Sequence, residues 1–134
     1  MAKILVVDDE GEVRRVISLI LAARGYSVIE SADGKVAYKT ALKHHPDLIL
    51  LDIMMPVMDG FEVLKKLKGN PATKAIPVIV VTALHESRDK ARAIQAGALD
   101  YITKPWAPGE LEERIQACLL PKRTSAAAAA SSGG

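Results

Sequence analysis

The stretch Leu48-Ile49-Leu50-Leu51-Asp52 decides the fold of this chain, because it is a continuous apolar run that ends in a carboxylate. Continuous rather than alternating apolar residues are typical of strands that are covered on both faces, as in parallel sheets. Four more short apolar runs occur along the chain, at Ile4–Val7, Val28–Ile29, Val78–Val81 and Leu99–Ile102. The sequence therefore predicts five strands.

Segments with helical spacing follow each of these runs. In the first segment, apolar residues at i, i+3, i+4, i+7 and i+8 predict one wide apolar stripe, and these residues are Val13, Val16, Ile17, Ile20 and Leu21. The next three predicted helices end near Pro46, Gly69 and Gly97, and the first ends before Gly25 as its C′ residue. We expect Ser87 to cap the fourth helix and Pro108 to lie in the first turn of the fifth.

Five strand–helix units with short connections predict an α/β fold. Such a fold is a doubly wound, five-stranded parallel sheet with helices on both faces and right-handed crossovers. In open parallel sheets, ligands bind outside the carboxyl ends of the strands. The residues that follow each strand are therefore the candidates for chemistry.

Composition excludes several classes of function. The chain has 134 residues with a formal charge of +2, and 49% of the residues are hydrophobic, which suits one globular domain. This small net charge and the 4% of aromatic residues argue against a dedicated nucleic-acid binder. A single cysteine, Cys118, excludes a disulfide framework, and no apolar run approaches a membrane span. We expect a cytoplasmic protein with no membrane partner.

The composition changes after Leu120. Residues 121–134 begin with Pro121-Lys122-Arg123 and continue with alanines, serines and glycines, without apolar periodicity. We expect residues 1–120 to form the domain and residues 121–134 to be a disordered, low-complexity tail or linker. Lys122 and Arg123 account for the whole net charge, so the domain itself is neutral.

Three carboxylates, one hydroxyl and one ammonium follow the predicted strands. They belong to Asp8, Asp9, Asp52, Thr82 and Lys104. Loop starts are often polar, so any one of these residues alone means little. Together they indicate a site, because converging carboxylates repel one another unless a cation compensates. Hard oxygen ligands of this kind suit Mg²⁺.

The motifs at these strand ends resemble those of the receiver domain of two-component response regulators, the family of the chemotaxis regulator. The matching stretches are Ile4–Glu10, Leu50–Gly60, Val81–Ala83 and Thr103–Pro105, in the order and spacing of the family. The resemblance covers residues from about Lys3 to Leu120 and implies a flavodoxin-like sheet with the strand order 2-1-3-4-5. It also implies a signalling switch rather than a turnover enzyme.

The resemblance implies roles for the acidic residues. Asp52 is expected to be the phosphoacceptor and, with Asp9, a ligand of Mg²⁺, whereas Asp8 acts through water. Met54 is expected to offer its backbone carbonyl to the metal. A carboxylate is a competent nucleophile toward phosphorus, and Mg²⁺ would offset the repulsion between carboxylates and phosphoryl oxygens.

The remaining residues of the motifs are implied to take part in the response. Thr82 is expected to bind the phosphoryl group through its hydroxyl, and Lys104 to pair with the acidic site. Pro105 is expected to follow a cis peptide bond. Tyr101 matches the aromatic residue that rotates when Thr82 moves, and Trp106 is expected to pack or to join the partner surface on helix 4, strand 5 and helix 5.

The expected partners are a sensor histidine kinase or phosphotransfer protein and a downstream target or output domain. The chain is expected to act as a monomer or as a phosphorylation-dependent dimer, either alone or as the receiver fragment of a longer regulator. A Mg²⁺-dependent phosphohydrolase is less favoured, because Met54 stands where such an enzyme often has a general acid. A nucleotide or flavin carrier is disfavoured, since acids rather than a glycine-rich loop follow the first strand.

Two bulky apolar residues, Met54 and Leu84, lie two positions after Asp52 and Thr82. Neither side chain can orient a hydrolytic water. We therefore expect the phosphorylated state to be long-lived.

Overall fold

The computed structural model of the chain describes residues 2–119. It contains one parallel sheet with the strand order β2-β1-β3-β4-β5 and five helices, which confirms the predicted doubly wound α/β fold. The strands are β1 (Lys3–Val7), β2 (Ser27–Ser31), β3 (Leu48–Leu51), β4 (Val78–Thr82) and β5 (Asp100–Thr103). The helices are α1 (Gly11–Ala23), α2 (Gly34–His44), α3 (Gly60–Gly69), α4 (Ser87–Gln95) and α5 (Glu110–Leu119).

The continuous apolar runs are explained by two core layers, one on each face of the sheet. On strand β1, Leu5 and Val7 face the layer that includes residues of α2, α3 and α4. Ile4 and Val6, which alternate with them, face the layer of α1 and α5. Full burial of each such side chain contributes about 1.5–3 kcal/mol. Both layers hold the sheet rigid beneath its carboxyl edge.

The structure confirms the predicted end of the first helix but not the predicted starts of the fourth and fifth helices. Gly25 follows α1 with a φ of 86°, as expected of a C′ glycine. The prediction that Ser87 caps α4 is wrong, because Glu86 is the N-cap residue and Ser87 is the first helical residue. Pro108 lies before α5 rather than in its first turn. Gly109 follows it with a φ of 82°, which no right-handed helix accommodates.

The predicted apolar stripes are too wide. Val16 is 49% exposed, whereas Ile17 and Leu21 of the same predicted stripe on α1 are buried. Each helical residue turns by about 100° relative to its neighbour, so a residue next to the buried line falls on its flank. Leu99, the first residue of the fifth apolar run, is 51% exposed and precedes β5.

The predicted tail, residues 121–134, lies outside the described residues, as does Leu120. Between residues 2 and 119, none of the helices combines the length and the apolar character that crossing a membrane requires.

Candidate functional site

The pairing of the two central strands brings two carboxylates together. Val7 pairs with Leu51 in the parallel β1–β3 ladder, so the next residues, Asp8 and Asp52, leave the sheet side by side. The Asp52 N–H donates to the Val7 carbonyl at 3.0 Å, which extends the ladder by one bond. Both aspartates are buried, at 2% and 3% exposure. Two carboxylates in this position require a compensating cation.

Lys104 supplies that charge in the present conformation. Its ammonium donates to Asp8 Oδ2 at 2.7 Å and to Asp52 Oδ2 at 2.8 Å. The residue follows β5, and its N–H donates to the carbonyl of Thr82, the last residue of β4, at 2.8 Å. One ammonium thus bridges two carboxylates at the carboxyl edge of the sheet.

Burial and the neighbouring charges act in opposite directions on the pKa values of Asp8 and Lys104. Burial raises the pKa of the Asp8 carboxyl above its usual 3.8, and hydrogen bonds from Lys104 and Glu10 offset only part of the effect. Burial alone would lower the pKa of Lys104, but its hydrogen bonds and attraction to Asp52 and Asp8 raise it overall. The ammonium is therefore firmly charged at neutral pH.

Backbone groups hold the other oxygens of the two carboxylates. The Glu10 N–H donates to Asp8 Oδ1 at 2.9 Å, and the Met54 N–H donates to Asp52 Oδ1 at 3.0 Å. Each carboxylate thus has one oxygen on a backbone donor and the other on Lys104. The orientation of both groups is fixed by the loops that follow β1 and β3.

Close approach of α3 to the end of β3 depends on Gly60. A Cβ atom at this position would collide with the Asp52 carbonyl oxygen and with Ile53 Cα. The Gly60 N–H donates to the Ile53 carbonyl at 2.9 Å, and the side chain of Asp59 caps the helix by accepting from the Glu62 N–H. Asp59 and Gly60 together therefore let the start of α3 pack closely against the backbone of Asp52 and Ile53.

The carboxylate oxygens that approach one another belong to Asp8, Glu10 and Asp52, all within 4.8 Å. This donor set fits Mg²⁺, which prefers carboxylate oxygens and water. Asp9, expected to be a direct ligand, is exposed and lies outside this group. Glu10 was not singled out from the sequence. The available signal was its position two residues after Asp8, whose side chain accepts from the Glu10 N–H.

Thr82 ends β4, Tyr101 is the second residue of the neighbouring strand β5, and both are buried. Thr82 is fully buried, and its hydroxyl oxygen accepts from the Leu84 N–H at 3.5 Å. The Tyr101 hydroxyl donates to the Leu84 carbonyl at 2.7 Å, and the residue is only 6% exposed. Burial and the nearby Asp89 and Asp52 raise the pKa of Tyr101 to about 12. In this conformation Tyr101 is part of the core and is not available as a partner surface.

The two residues after Lys104 complete the predicted set. The peptide bond between Lys104 and Pro105 is cis. Trp106 is partly buried and packs against the apolar layer of α1 and α5. The structure thus brings Asp8, Asp52 and Lys104 into direct contact. Thr82 is linked to Lys104 through its backbone, and Trp106 lies against the core.

The chain is thus a doubly wound α/β domain with a buried aspartate–lysine–aspartate cluster at the ligand-binding edge of its sheet. The family model described as "Response regulator receiver domain" matches residues 4–116. The chain belongs to the response regulator receiver domain family of two-component signalling. Members of this family are phosphoacceptor switches rather than conventional enzymes.

The chain is similar to proteins of known sequence and structure. It is 43% identical over 117 residues to a "Probable transcriptional regulator ycf27" of Porphyridium aerugineum, covering 87% of this chain and 48% of the relative. The chain thus spans about half the length of that relative. The structure of chemotaxis protein CheY4 of Vibrio cholerae aligns with a TM-score of 0.83 at 35% identity, over 88% of this chain and 98% of that one.

A third similar structure carries a metal. The receiver domain of a sensor histidine kinase from Pseudomonas aeruginosa is described with a magnesium ion coordinated in its active-site cleft. It aligns with a TM-score of 0.81 at 32% identity, over 88% of this chain and 97% of that one.

Proposed function

We propose that this chain is a phosphorylation-dependent switch that accepts a phosphoryl group on Asp52 from a sensor histidine kinase or a phosphotransfer protein. The observation that carries the proposal is the buried carboxylate of Asp52, oriented by the Met54 N–H and by the ammonium of Lys104. This arrangement fixes a nucleophile at the edge of the sheet where ligands of such folds bind.

The proposed reaction is a direct transfer. A carboxylate oxygen of Asp52 attacks phosphorus, the bond from phosphorus to the imidazole nitrogen of the donor breaks, and its electron pair stays on that nitrogen. The product is an acyl phosphate on Asp52. Lys104 and the hydroxyl of Thr82 offset the charge that this transfer brings to the site, since phosphoryl transfer depends mainly on alignment and charge neutralisation.

We assign Asp8, Asp9, Asp52 and the backbone carbonyl of Met54 to a Mg²⁺ site, with Glu10 close to it. When bound, Mg²⁺ supplies positive charge to the phosphoryl oxygens. The cluster of carboxylate oxygens supports this assignment, as does the magnesium described for the related receiver domain. The exposed side chain of Asp9 is free to turn inward as a metal ligand.

The proposed response starts at Thr82. The added phosphoryl charge draws its hydroxyl inward, and Tyr101 then changes its packing and alters the surface of α4, β5 and α5. The movement of Thr82 vacates space for the ring of Tyr101, and the hydrogen bond from the Tyr101 hydroxyl to the Leu84 carbonyl supports the buried position of that ring. Trp106, between β5 and α5, is the second residue that we assign to the partner surface.

The proposed recipient of the signal is a downstream protein or an output domain, with the receiver acting as a monomer or as a phosphorylation-dependent dimer. The relatives described as transcriptional regulators support a role in transcription through such an output domain. We assign residues 1–120 to the receiver domain and residues 121–134 to a tail or linker. In this role the receiver itself contacts neither nucleic acid nor membrane directly.

The test is phosphorylation by a small-molecule phosphodonor in Mg²⁺ buffer and in EDTA. We expect the wild type to be labelled only with Mg²⁺, and Asp52→Asn not to be labelled. Asp59→Asn is the matched control, because Asp59 is a partly exposed cap at the next helix and keeps an oxygen acceptor after the change. Equal labelling of Asp52→Asn and wild type would exclude Asp52 as the acceptor.

A further inference from the structure

Arg14 connects helix α1 to the loop that carries the acidic residues. Its Nη1 group donates to the backbone carbonyl of Asp8 at 2.7 Å, and its Nε group donates to Glu30 Oε1 at 3.0 Å. The Arg14 side chain is 20% exposed, and that of Glu30, on β2, is 44% exposed. The planar guanidinium is therefore held between β2 and the loop after β1, a geometry that a lysine cannot reproduce.

The bond to Asp8 completes the anchoring of that residue. The Asp8 N–H donates to the Ser31 carbonyl at 3.2 Å, its side chain accepts from Glu10 and Lys104, and its carbonyl accepts from Arg14. Removal of the guanidinium would leave the carbonyl of a 2% exposed residue without this donor. Unpaired buried carbonyls are costly, so the loop would shift to find another partner.

We propose that Arg14 is a positioning residue for the Mg²⁺ site: it fixes the peptide after Asp8, and with it the directions of the acidic side chains at positions 8–10. This inference rests on the proposed function of the same site. Arg14 contributes no ligand atom. It acts through the loop, as groups that hydrogen-bond to metal ligands do at other metal centres.

The direction in which Mg²⁺ affinity changes when Arg14 is replaced distinguishes a positioning role from a purely electrostatic one. Arg14 carries a positive charge close to a site for a cation, so its charge alone disfavours Mg²⁺ binding. If only this charge mattered, Arg14→Gln would bind Mg²⁺ more tightly. If Arg14 positions the loop, the same substitution weakens binding. The two explanations therefore predict opposite changes in affinity.

The experiment measures Mg²⁺ affinity by calorimetry for Arg14→Gln, Arg14→Lys and Arg15→Gln. Arg15 is the matched control, since it is the adjacent arginine on the same helix and is exposed. We expect Arg14→Gln to weaken Mg²⁺ binding roughly tenfold, the lower end of effects at outer-shell positions. Arg15→Gln should stay within about twofold of the wild type, because exposed charges are screened. Arg14→Lys keeps the positive charge and the helix, and its Mg²⁺ binding should still be weaker than that of the wild type.

A second readout needs no metal. In EDTA, amide hydrogen exchange at Glu10 should be faster in Arg14→Gln than in the wild type, and unchanged in Arg15→Gln. Tighter or unchanged Mg²⁺ binding by Arg14→Gln would overturn the inference, and so would equal weakening by Arg15→Gln. If the wild type bound no Mg²⁺, the proposed function would fail, and the exchange rates alone would then decide whether Arg14 fixes the loop.

Discussion

Replacing Lys104 with methionine removes the ammonium that Asp8 and Asp52 share and keeps most of the side-chain volume. The two ion pairs measure 2.7 and 2.8 Å, and the three side chains are 13%, 2% and 3% exposed. Removing one partner of a buried ion pair costs about 3–5 kcal/mol. Because water still reaches Lys104, we expect about 3 kcal/mol, the lower end of that range. The melting temperature should fall by roughly 12 °C, at roughly 4 °C per kcal/mol for a domain of this size.

The pH dependence of this loss has a definite sign. The folded-state pKa of Asp8 is raised above 3.8, so its contribution to stability is present at low pH and is lost as the pH rises through that pKa. Without Lys104, which lowers this pKa, the upward shift must become larger. The deficit of Lys104→Met should therefore shrink as the pH falls, because a proton on Asp8 replaces the missing charge.

The assay is urea unfolding in EDTA at several pH values from about 4 to about 8. This range includes the pH at which a carboxyl group with a raised pKa loses its proton. Lys39→Met, at an exposed position of α2, is the control for loss of a lysine and should unfold like the wild type. The double variant Asp8→Asn with Lys104→Met should regain most of the lost stability. An unchanged free energy of unfolding for Lys104→Met would refute the reasoning, as would an equal loss in the double variant.

Three further changes test other parts of the structure. Gly60→Ala should destabilise the protein by about 1–3 kcal/mol in chemical denaturation, because its Cβ would collide with backbone at the end of β3, whereas Gly69→Ala, with no neighbour within 4 Å, should not. Tyr101→Phe should lose about 0.5–1.5 kcal/mol with its hydrogen bond to the Leu84 carbonyl; an unchanged melting temperature would contradict the importance of that bond. The phosphorylated wild type should outlast Met54→Asn roughly tenfold in a decay assay, equivalent to about 1.4 kcal/mol in the barrier, and loss of the wild-type label within seconds would contradict the long lifetime.

The sequence alone predicted the sheet because its signals there are strong. A run such as Leu48–Leu51 reads as a strand buried on both faces, and Asp52 then follows directly at the ligand-binding edge. Parallel pairing of β1 and β3 then places the residues that follow these two strands side by side, independently of how the helices pack. For this reason the proximity of Asp8 and Asp52 was predictable. Lys104 follows β5 at the same edge of the sheet, but the bridging position of its ammonium was not predictable.

The sequence could not supply contacts that depend on loop and side-chain conformation. Asp9 and Glu10 are both acids beside Asp8, and only the path of the loop places Glu10 rather than Asp9 with the cluster. Arg14 reaches back from α1 to the Asp8 carbonyl, a contact that helical periodicity does not encode. The family resemblance implies that Tyr101 rotates, and the hydrogen bond from its hydroxyl to a backbone carbonyl holds the ring in the buried position here.

Localising the phosphoryl group tests the central claim most directly. The wild type would be phosphorylated in Mg²⁺ buffer by a phosphohistidine donor protein, digested at low pH and mapped by tandem mass spectrometry. The proposal predicts one acyl phosphate, on the peptide that contains Asp52. A phosphoryl group on Asp8, on Asp9 or on any residue other than Asp52 would contradict it.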